Sequence, residues 1–224
     1  MEFNCNLSKR LCAAASLVRQ GACVADVGCD HGKLAAALVL SGRASRVIAT
    51  DIHPKPLEKA RALFERLGIE SKAVAVLCDG LAGIEAERVT DVVIAGLGAD
   101  TTAEILRAAP WLRDPQKRLI LVPASHHERL RRALYADGFA LLSETAVCES
   151  GHCYSVMHAA WSGVPRRIDP SFAAIGLLRG DTDDARAYLE EQKRRAESLI
   201  ASGADSEKRE NAAALLRTIQ EVLK

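Results

Sequence analysis

The sequence lacks long apolar segments, has few aromatic residues and carries almost no net charge. No stretch of about 18 apolar residues occurs, which excludes a membrane-spanning helix. Aromatic residues make up 4% of the chain and hydrophobic residues 49%, so we expect a core built mainly from alanine, leucine and valine. The formal net charge of +1 provides no overall attraction for a polyanion. A nucleic-acid partner would therefore need local clusters of basic residues.

The cysteines lack the spacing of a zinc site or of a redox motif. The chain has seven cysteines but no Cys-x-x-Cys pair, so we expect reduced thiols in a cytoplasmic protein. Cys148 and Cys153 lie close to His152, but no second ligand cluster accompanies them. We therefore expect a turn between two strands there, and no metal. Residues 1–5 lack a basic region followed by an apolar stretch, so we expect no secretory signal.

Residues 24–34, VADVGCDHGKL, join an apolar strand to a glycine turn and an alanine-rich helix. Gly28 permits a sharp turn and leaves room for a ligand beside the peptide groups, and the helix presents its amino end to that ligand. The spacing departs from Gly-x-Gly-x-x-Gly, because Asp30 and Lys33 stand where a diphosphate-binding loop has small residues. A carboxylate there favours a cofactor with cationic groups, such as the ammonium and sulfonium of S-adenosylmethionine (SAM), over NAD.

Two further carboxylates follow apolar strands. Asp51 ends the strand after the glycine turn, roughly twenty residues on, where a ribose-binding acid is expected. Asp79 ends the next strand, from which it can reach an adenine amino group. The carboxyl ends of neighbouring parallel strands line one crevice, so Asp30, Asp51 and Asp79 indicate a cofactor site. The alternative is that each aspartate caps the helix that follows it.

The order of elements predicts an α/β fold. Strands and helices alternate up to about residue 137, which favours a Rossmann-like, doubly wound parallel sheet. Two strand-like runs around Gly151 then predict a terminal antiparallel hairpin, typical of class I methyltransferases. His126 and His127 stand at the start of the last helix of this part, where adjacent side chains point in different directions, and are interpreted as surface residues rather than a catalytic pair.

The last part of the chain is rich in charged helix-forming residues. We predict a methyltransferase domain over residues 1–164 and a helical hairpin over residues 165–224, with a linker flanked by Pro165 and Pro170. The two helices, about 183–201 and 206–223, carry apolar stripes at helical spacing. Their antiparallel packing would bury both stripes, including Leu199 and Ile200.

These motifs resemble a known family, the bacterial tRNA (adenine(22)-N(1))-methyltransferases called TrmK. Residues 25–32, ADVGCDHG, are similar to the family's Asp-Ile-Gly-x-Asp-His signature. Residues 94–98, IAGLG, are similar to its Ile-Ala-Gly-Met-Gly-Gly segment, and residues 79–81 to its Gly-Asp-Gly-Leu turn. The opening helix and the two-helix tail also correspond, so the resemblance covers essentially the whole chain.

The resemblance implies methyl transfer from SAM to N1 of an adenine in tRNA, by an enzyme that we expect to be monomeric. The cofactor would be bound by Gly28, Cys29, Asp30, His31, Asp51, Ile52, Asp79, Gly80 and Gly96. We assign Asp100 and Ser125 as candidate catalytic residues at the acceptor base. The candidate RNA-binding residues are Lys9, Arg10, Arg131, Arg132 and Arg194.

The chain departs from the family pattern at two positions. Ala99 replaces the second glycine after the fourth strand, and Ala124 replaces the asparagine of a Gln-Pro-Asn segment after the fifth. An amide there would hydrogen-bond an adenine edge, and Ser125 offers a single donor or acceptor instead.

Two other functions are compatible with these residues. A methyltransferase of a small molecule or protein would keep the cofactor crevice without needing the basic residues or the tail. A SAM- or RNA-binding module without catalysis would fit Ala99 and Ala124.

Overall fold

A computed structural model describes residues 7–203 and 205–224. Residues 1–5, on which the expectation of no secretory signal rests, lie outside the described residues. Across the described ranges, no helix is both long enough and apolar enough to span a bilayer.

The structure is a seven-stranded sheet with helices on both faces, followed by a helical tail. The strands are β1 Ala22–Val27, β2 Ala44–Asp51, β3 Ala73–Leu77, β4 Asp91–Ala95, β5 Arg118–Val122, β6 Phe139–Glu149 and β7 His152–Trp161. The helices are α1 Lys9–Leu17, α2 Lys33–Leu40, α3 Pro54–Leu67, α4 Ala99–Arg107, α5 His127–Ala136, α6 Pro170–Ile175, α7 Asp183–Ala201 and α8 Ser206–Val222, with a short 3₁₀ helix at Pro110–Leu112.

The sheet confirms the predicted class I methyltransferase architecture. The strand order is β3-β2-β1-β4-β5-β7-β6, in which β1 to β5 run parallel, β7 runs antiparallel to β5, and β6 runs antiparallel to β7. Side chains of β1 alternate between two cores: Val24 packs with α2 and α3, whereas Ala25 and Val27 pack with α4 and α5. Strands buried on both faces explain the continuous apolar runs in the sequence. The strand order reverses between β1 and β4, where open parallel sheets bind their ligands.

The β6–β7 hairpin corrects the expectation that all cysteines are reduced. Ser150 and Gly151 both have positive φ, at 51° and 78°, as a tight two-residue turn requires. This turn places Cys148 directly opposite Cys153, with their Cα atoms 4.1 Å apart, and the two form a disulfide. Cross-strand pairs without ladder hydrogen bonds have this close spacing. This disulfide could have been predicted from the hairpin expected around Gly151, because such a hairpin pairs Cys148 with Cys153 on adjacent strands.

The tail forms the predicted antiparallel helices, and the segment expected to be a linker contains α6. Asp169 caps α6 by accepting from Phe172 N, and Thr182 caps α7 by accepting from Ala185 N. Ile175, Leu189 and Ile219 bring α6, α7 and α8 into one small apolar core. Leu199 and Ile200, expected in the buried stripe, are each 37% exposed at the end of α7. The division of the chain at residue 164 stays a prediction.

Candidate active site

A cavity of about 260 Å³ opens at the carboxyl ends of the first four strands. Six of the nine predicted cofactor residues line it: Gly28, Asp30, Asp51, Ile52, Asp79 and Gly80. The lining also contains Val27, Thr50, His53, Leu97, Thr101 and Ile105, which sequence reasoning missed. Thr101 and Ile105 come from α4, which no local motif pointed to, because only the packing of α4 against the sheet edge brings them here.

The glycine turn closes one side of this cavity. Gly28 has φ 69°, and a Cβ at this position would lie 3.2 Å from Leu97 Cδ2. The N–H groups of Gly28 and Cys29 both donate to Thr50 O, at 2.9 and 3.0 Å, and fasten the turn to β2. Asp30 follows in the left-handed region, with φ 50° and its side chain 75% exposed. A non-glycine residue held in this region is strained, which is common where a loop is shaped for a ligand.

The end of β2 supplies a carboxylate and an apolar surface side by side. Asp51 Oδ1 accepts from His53 N at 2.9 Å. Ile52, the next residue, is 58% exposed. A partly free carboxylate beside an exposed apolar side chain suits a nucleoside, whose ribose hydroxyls donate hydrogen bonds and whose base needs an apolar contact. Asp79 also borders a neighbouring cavity of about 230 Å³ that continues along α4.

Three predicted cofactor residues do not line the cavity. Cys29 is 6% exposed in the core, and burial, together with the charges of Asp26 and Asp51, raises its thiol pKa to about 12. His31 Nε2 instead lies 3.3 Å from Asp30 Oδ1 and 3.0 Å from Lys59 Nζ. Gly96 donates its N–H to Val122 O at 2.9 Å, so it joins β4 to β5.

The two candidate catalytic residues lie in different surroundings. Asp100 is exposed in the first turn of α4, and its Oδ2 lies 3.2 Å from Arg129 Nη1. Ser125 lines a separate cavity together with Ala124. The carboxylate of Asp100 is therefore already paired with a cation, and neither residue lines the cavity of about 260 Å³.

The predicted RNA-binding residues separate into exposed and structural ones. Lys9, Arg132 and Arg194 are exposed. Arg10 is half-buried, with Nη1 3.4 Å from Glu149 Oε1 and its guanidinium 4.7 Å from the ring centre of Tyr154.

The assignment of Arg131 to RNA binding is wrong. Its side chain is 0% exposed and pairs with Glu144, which is also 0% exposed. The helical period turns Arg131 inward while Arg132 faces out, and the ion pair satisfies the buried charge. His127 is likewise buried, at 9% exposure, although it was interpreted as a surface residue.

Asp26 is a buried acid beside the glycine turn, and its titration gives a pH prediction. Burial raises its pKa to about 7, although the backbone N–H of Ala35 opposes this, and Oδ2 has no hydrogen-bond partner in the described structure. Because the folded-state pKa lies above the unfolded value, protonated Asp26 contributes stability at low pH, and this contribution is lost as the pH rises to about 7. Relative to Asp26→Asn, we expect the free energy of unfolding of the wild type to fall by roughly 3 kcal/mol between about pH 5 and about pH 8.

Urea unfolding of both proteins at the two pH values measures this difference. The amide is isosteric and does not titrate, so Asp26→Asn is its own structural control at low pH. Equal losses in both proteins would show that Asp26 is not the titrating group.

Comparison with known proteins agrees with this geometry. Residues 7–157 match a family of methyltransferase domains. The tRNA (adenine(22)-N(1))-methyltransferase of Bacillus subtilis is 34% identical over 174 residues, which are 78% of this chain and 73% of that protein. The chain belongs to the TrmK family.

Solved structures extend the TrmK relationship to the tail. The B. subtilis m1A22 tRNA methyltransferase TrmK superposes with a TM-score of 0.81 at 27% identity, over 99% of this chain and 100% of that one. A proposed tRNA (m1A22) methyltransferase of Streptococcus pneumoniae, crystallised with SAM, has a TM-score of 0.80 at 29% identity, over 97% and 100%. The C-terminal helices are therefore a shared part of the TrmK fold.

Proposed function

We propose that this TrmK family member transfers a methyl group from SAM to N1 of an adenine in tRNA, at the position equivalent to adenine 22. One observation carries the proposal: a cavity shaped by the family's glycine turn is lined by three carboxylates at the sheet's switch point. The B. subtilis relative, whose alignment covers 78% of this chain, is named for that reaction.

The lining residues suit the groups of SAM. Asp30 presents an exposed carboxylate at the glycine turn, which would attract the ammonium group. Asp51 would accept from the ribose hydroxyls, with Ile52 against the apolar face of the adenine. Asp79, at the end of β3, would accept from the adenine amine. Each polar contact pairs a carboxylate with a donor or a cation, so the chemistry of the cavity favours SAM over a diphosphate.

Catalysis then depends mainly on alignment. Bound SAM supplies a methyl group on a sulfonium, whose leaving group is already good, so holding N1 in line with the methyl provides most of the acceleration. N1 of a paired adenine is inaccessible, so the base must be extruded or presented unpaired at the mouth of the cavity. The product base is cationic. Asp100 is our candidate to stabilise this charge or to accept a proton from N6, and either role requires its carboxylate to leave Arg129.

The RNA would be held by side chains outside the cavity. Lys9, Arg132 and Arg194 are exposed, and Arg10 lies near the β6–β7 hairpin. With a net charge of only +1, binding depends on such local groups and should weaken steeply with salt. Charge reversal at Arg132 and Arg194 is expected to raise the Kd for tRNA without changing the Kd for SAM.

Methyl transfer from labelled SAM to an unmodified tRNA transcript, followed by nucleoside mass spectrometry, tests the function. We expect 1-methyladenosine, and none when the adenine at the equivalent position is replaced by guanosine. SAM binding without any methylated nucleoside would contradict the proposal and favour another acceptor or a module without catalysis.

A further inference from the structure

Two ion pairs join α4 to α5, one at each end of these helices. Both helices follow adjacent parallel strands and pack on the same side of the sheet, so they run side by side in the same direction. At their carboxyl ends, Arg107 Nε lies 2.7 Å from Asp137 Oδ2. At their amino ends, Arg129 Nη1 lies 3.2 Å from Asp100 Oδ2. Of the two, only the Asp100–Arg129 pair stands at the edge of the sheet where the cofactor cavity opens.

The Asp100–Arg129 pair stands between two cavities. Leu97 and Thr101, on either side of Asp100 in the chain, line the cofactor cavity. Residues 124–128, which precede Arg129, line the separate cavity of about 500 Å³. A nucleotide that approaches the cofactor between these two loops therefore comes near the pair.

The Asp100–Arg129 pair holds its partners loosely. The Arg129 side chain is 56% exposed and that of Asp100 is 70% exposed, and such a pair is weakened by solvent and salt. In the part of the chain that the structure describes, neither side chain has another hydrogen-bond partner. The positive end of the α5 dipole disfavours a cation at Arg129, whereas the same end of α4 favours the carboxylate of Asp100. Moving the guanidinium from Asp100 to another anion therefore costs little.

Arg129 belongs to an exposed basic face of α5. Arg132 follows it by three residues, so the two side chains are neighbours on the helix surface, and both are exposed. The adjacent carboxylate of Glu128 lies 3.6 Å from His126 Nδ1. A guanidinium binds a phosphate through two parallel hydrogen bonds, which is a stronger contact than an exposed pair with one carboxylate oxygen. A phosphate of an RNA strand is therefore the anion expected to displace Asp100.

We propose that Arg129 binds a phosphate of the tRNA beside the acceptor adenine, and that RNA binding transfers its guanidinium from Asp100 to this phosphate. The inference rests on the proposed function and adds Arg129 to it as a substrate-binding residue. The transfer frees the Asp100 carboxylate as the base arrives, which its role at the cationic product requires. Without RNA, the ion pair keeps this carboxylate neutralised.

The salt dependence of tRNA binding tests the phosphate contact. Each phosphate that a protein cation neutralises contributes about 0.7 to 0.9 to the slope of log Kd against log salt concentration. We expect Arg129→Met to lower this slope by about that amount, and Arg129→Lys, which keeps the charge, to leave it unchanged. Arg107→Met is the matched control, because it removes the other ion pair between the same two helices, and its slope should equal that of the wild type.

The kinetic constants separate phosphate binding from a structural role. If the guanidinium leaves Asp100 in the complex, Arg129→Met should raise the KM for tRNA about tenfold, through loss of one charge-assisted contact. Its kcat should stay within about threefold of the wild type, because Asp100 is free in both complexes. The Kd for SAM should not change.

An unchanged salt slope in Arg129→Met would overturn the proposal. A fall in kcat with an unchanged KM would also overturn it, because the ion pair would then persist in the tRNA complex. A wild type that binds tRNA but forms no 1-methyladenosine would instead contradict the proposed function, and the salt slope would still test Arg129.

Discussion

Replacing Arg131 with methionine is expected to destabilise the protein by about 3–5 kcal/mol. Arg131 Nη2 lies 2.7 Å from Glu144 Oε1, and Nη1 donates to Ala173 O and Ala174 O at 2.8 and 2.9 Å. Both charged side chains are 0% exposed, so the substitution leaves the Glu144 carboxylate buried without its counter-ion. The free energy of unfolding, from urea titration, measures the effect.

Arg132→Met is the matched control, because it lies next to Arg131 on the same helix but is exposed. Within residues 7–203 and 205–224, the Arg132 side chain makes one hydrogen bond, a long one from Nη1 to Ile168 O at 3.5 Å, so we expect a change in the free energy of unfolding below about 0.5 kcal/mol. Adding Glu144→Gln to Arg131→Met removes the stranded charge and should recover part of the loss. Equal stability of the two arginine variants would contradict the assigned structural role.

The Arg131 network also explains how the tail is held. Arg131 belongs to α5 and Glu144 to β6, whereas the carbonyl groups come from α6 and the Tyr188 hydroxyl from α7. Leu177 N donates to Glu144 Oε2 at 2.8 Å and adds a further link. The ion pair thus joins the sheet to the C-terminal helices, and its loss should weaken the packing of these helices on the sheet.

Replacing Asp51 with alanine is expected to raise the Kd for SAM about 100-fold. The carboxylate would accept from both ribose hydroxyls, and two charge-assisted hydrogen bonds are worth about 3 kcal/mol or more together. Asp51→Asn keeps one acceptor oxygen, so its Kd for SAM should rise only about tenfold. Isothermal titration calorimetry measures both.

Asp181→Ala is the control for Asp51→Ala, because Asp181 is an exposed aspartate before α7. Its Kd for SAM should equal that of the wild type. Asp51 also accepts from His53 N, so the thermal unfolding of the Asp51 variants must be followed in parallel. A Kd within about threefold of the wild type in a folded Asp51→Ala variant would show that the ribose does not bind here.

Much of the fold was predictable because its signals are local. The helix at Pro54–Leu67 has the bounds that its apolar period and the following Gly68 indicate, and the hairpin turns where Ser150 and Gly151 stand. The sequence also predicted that Asp30, Asp51 and Asp79 lie together, because the ends of parallel strands meet at one edge, and all three line one cavity. Cys29, His31 and Gly96 were grouped with them only because they adjoin the same motifs, and sequence proximity does not settle where a side chain points.

The sequence by itself determined the family, the order of strands and helices, and three carboxylates at one edge of the sheet. The family follows from the resemblance of the motifs, and the elements and carboxylates follow from hydrophobic period and turn chemistry, which act over a few residues. Only the tertiary structure decided that Arg131 and His127 are buried. Each stands beside a residue of the same type that is exposed, Arg132 and His126, so the local sequence does not distinguish them. Both are buried because α6 and α7 pack over α5, and their partners lie 13 and 61 residues away along the chain.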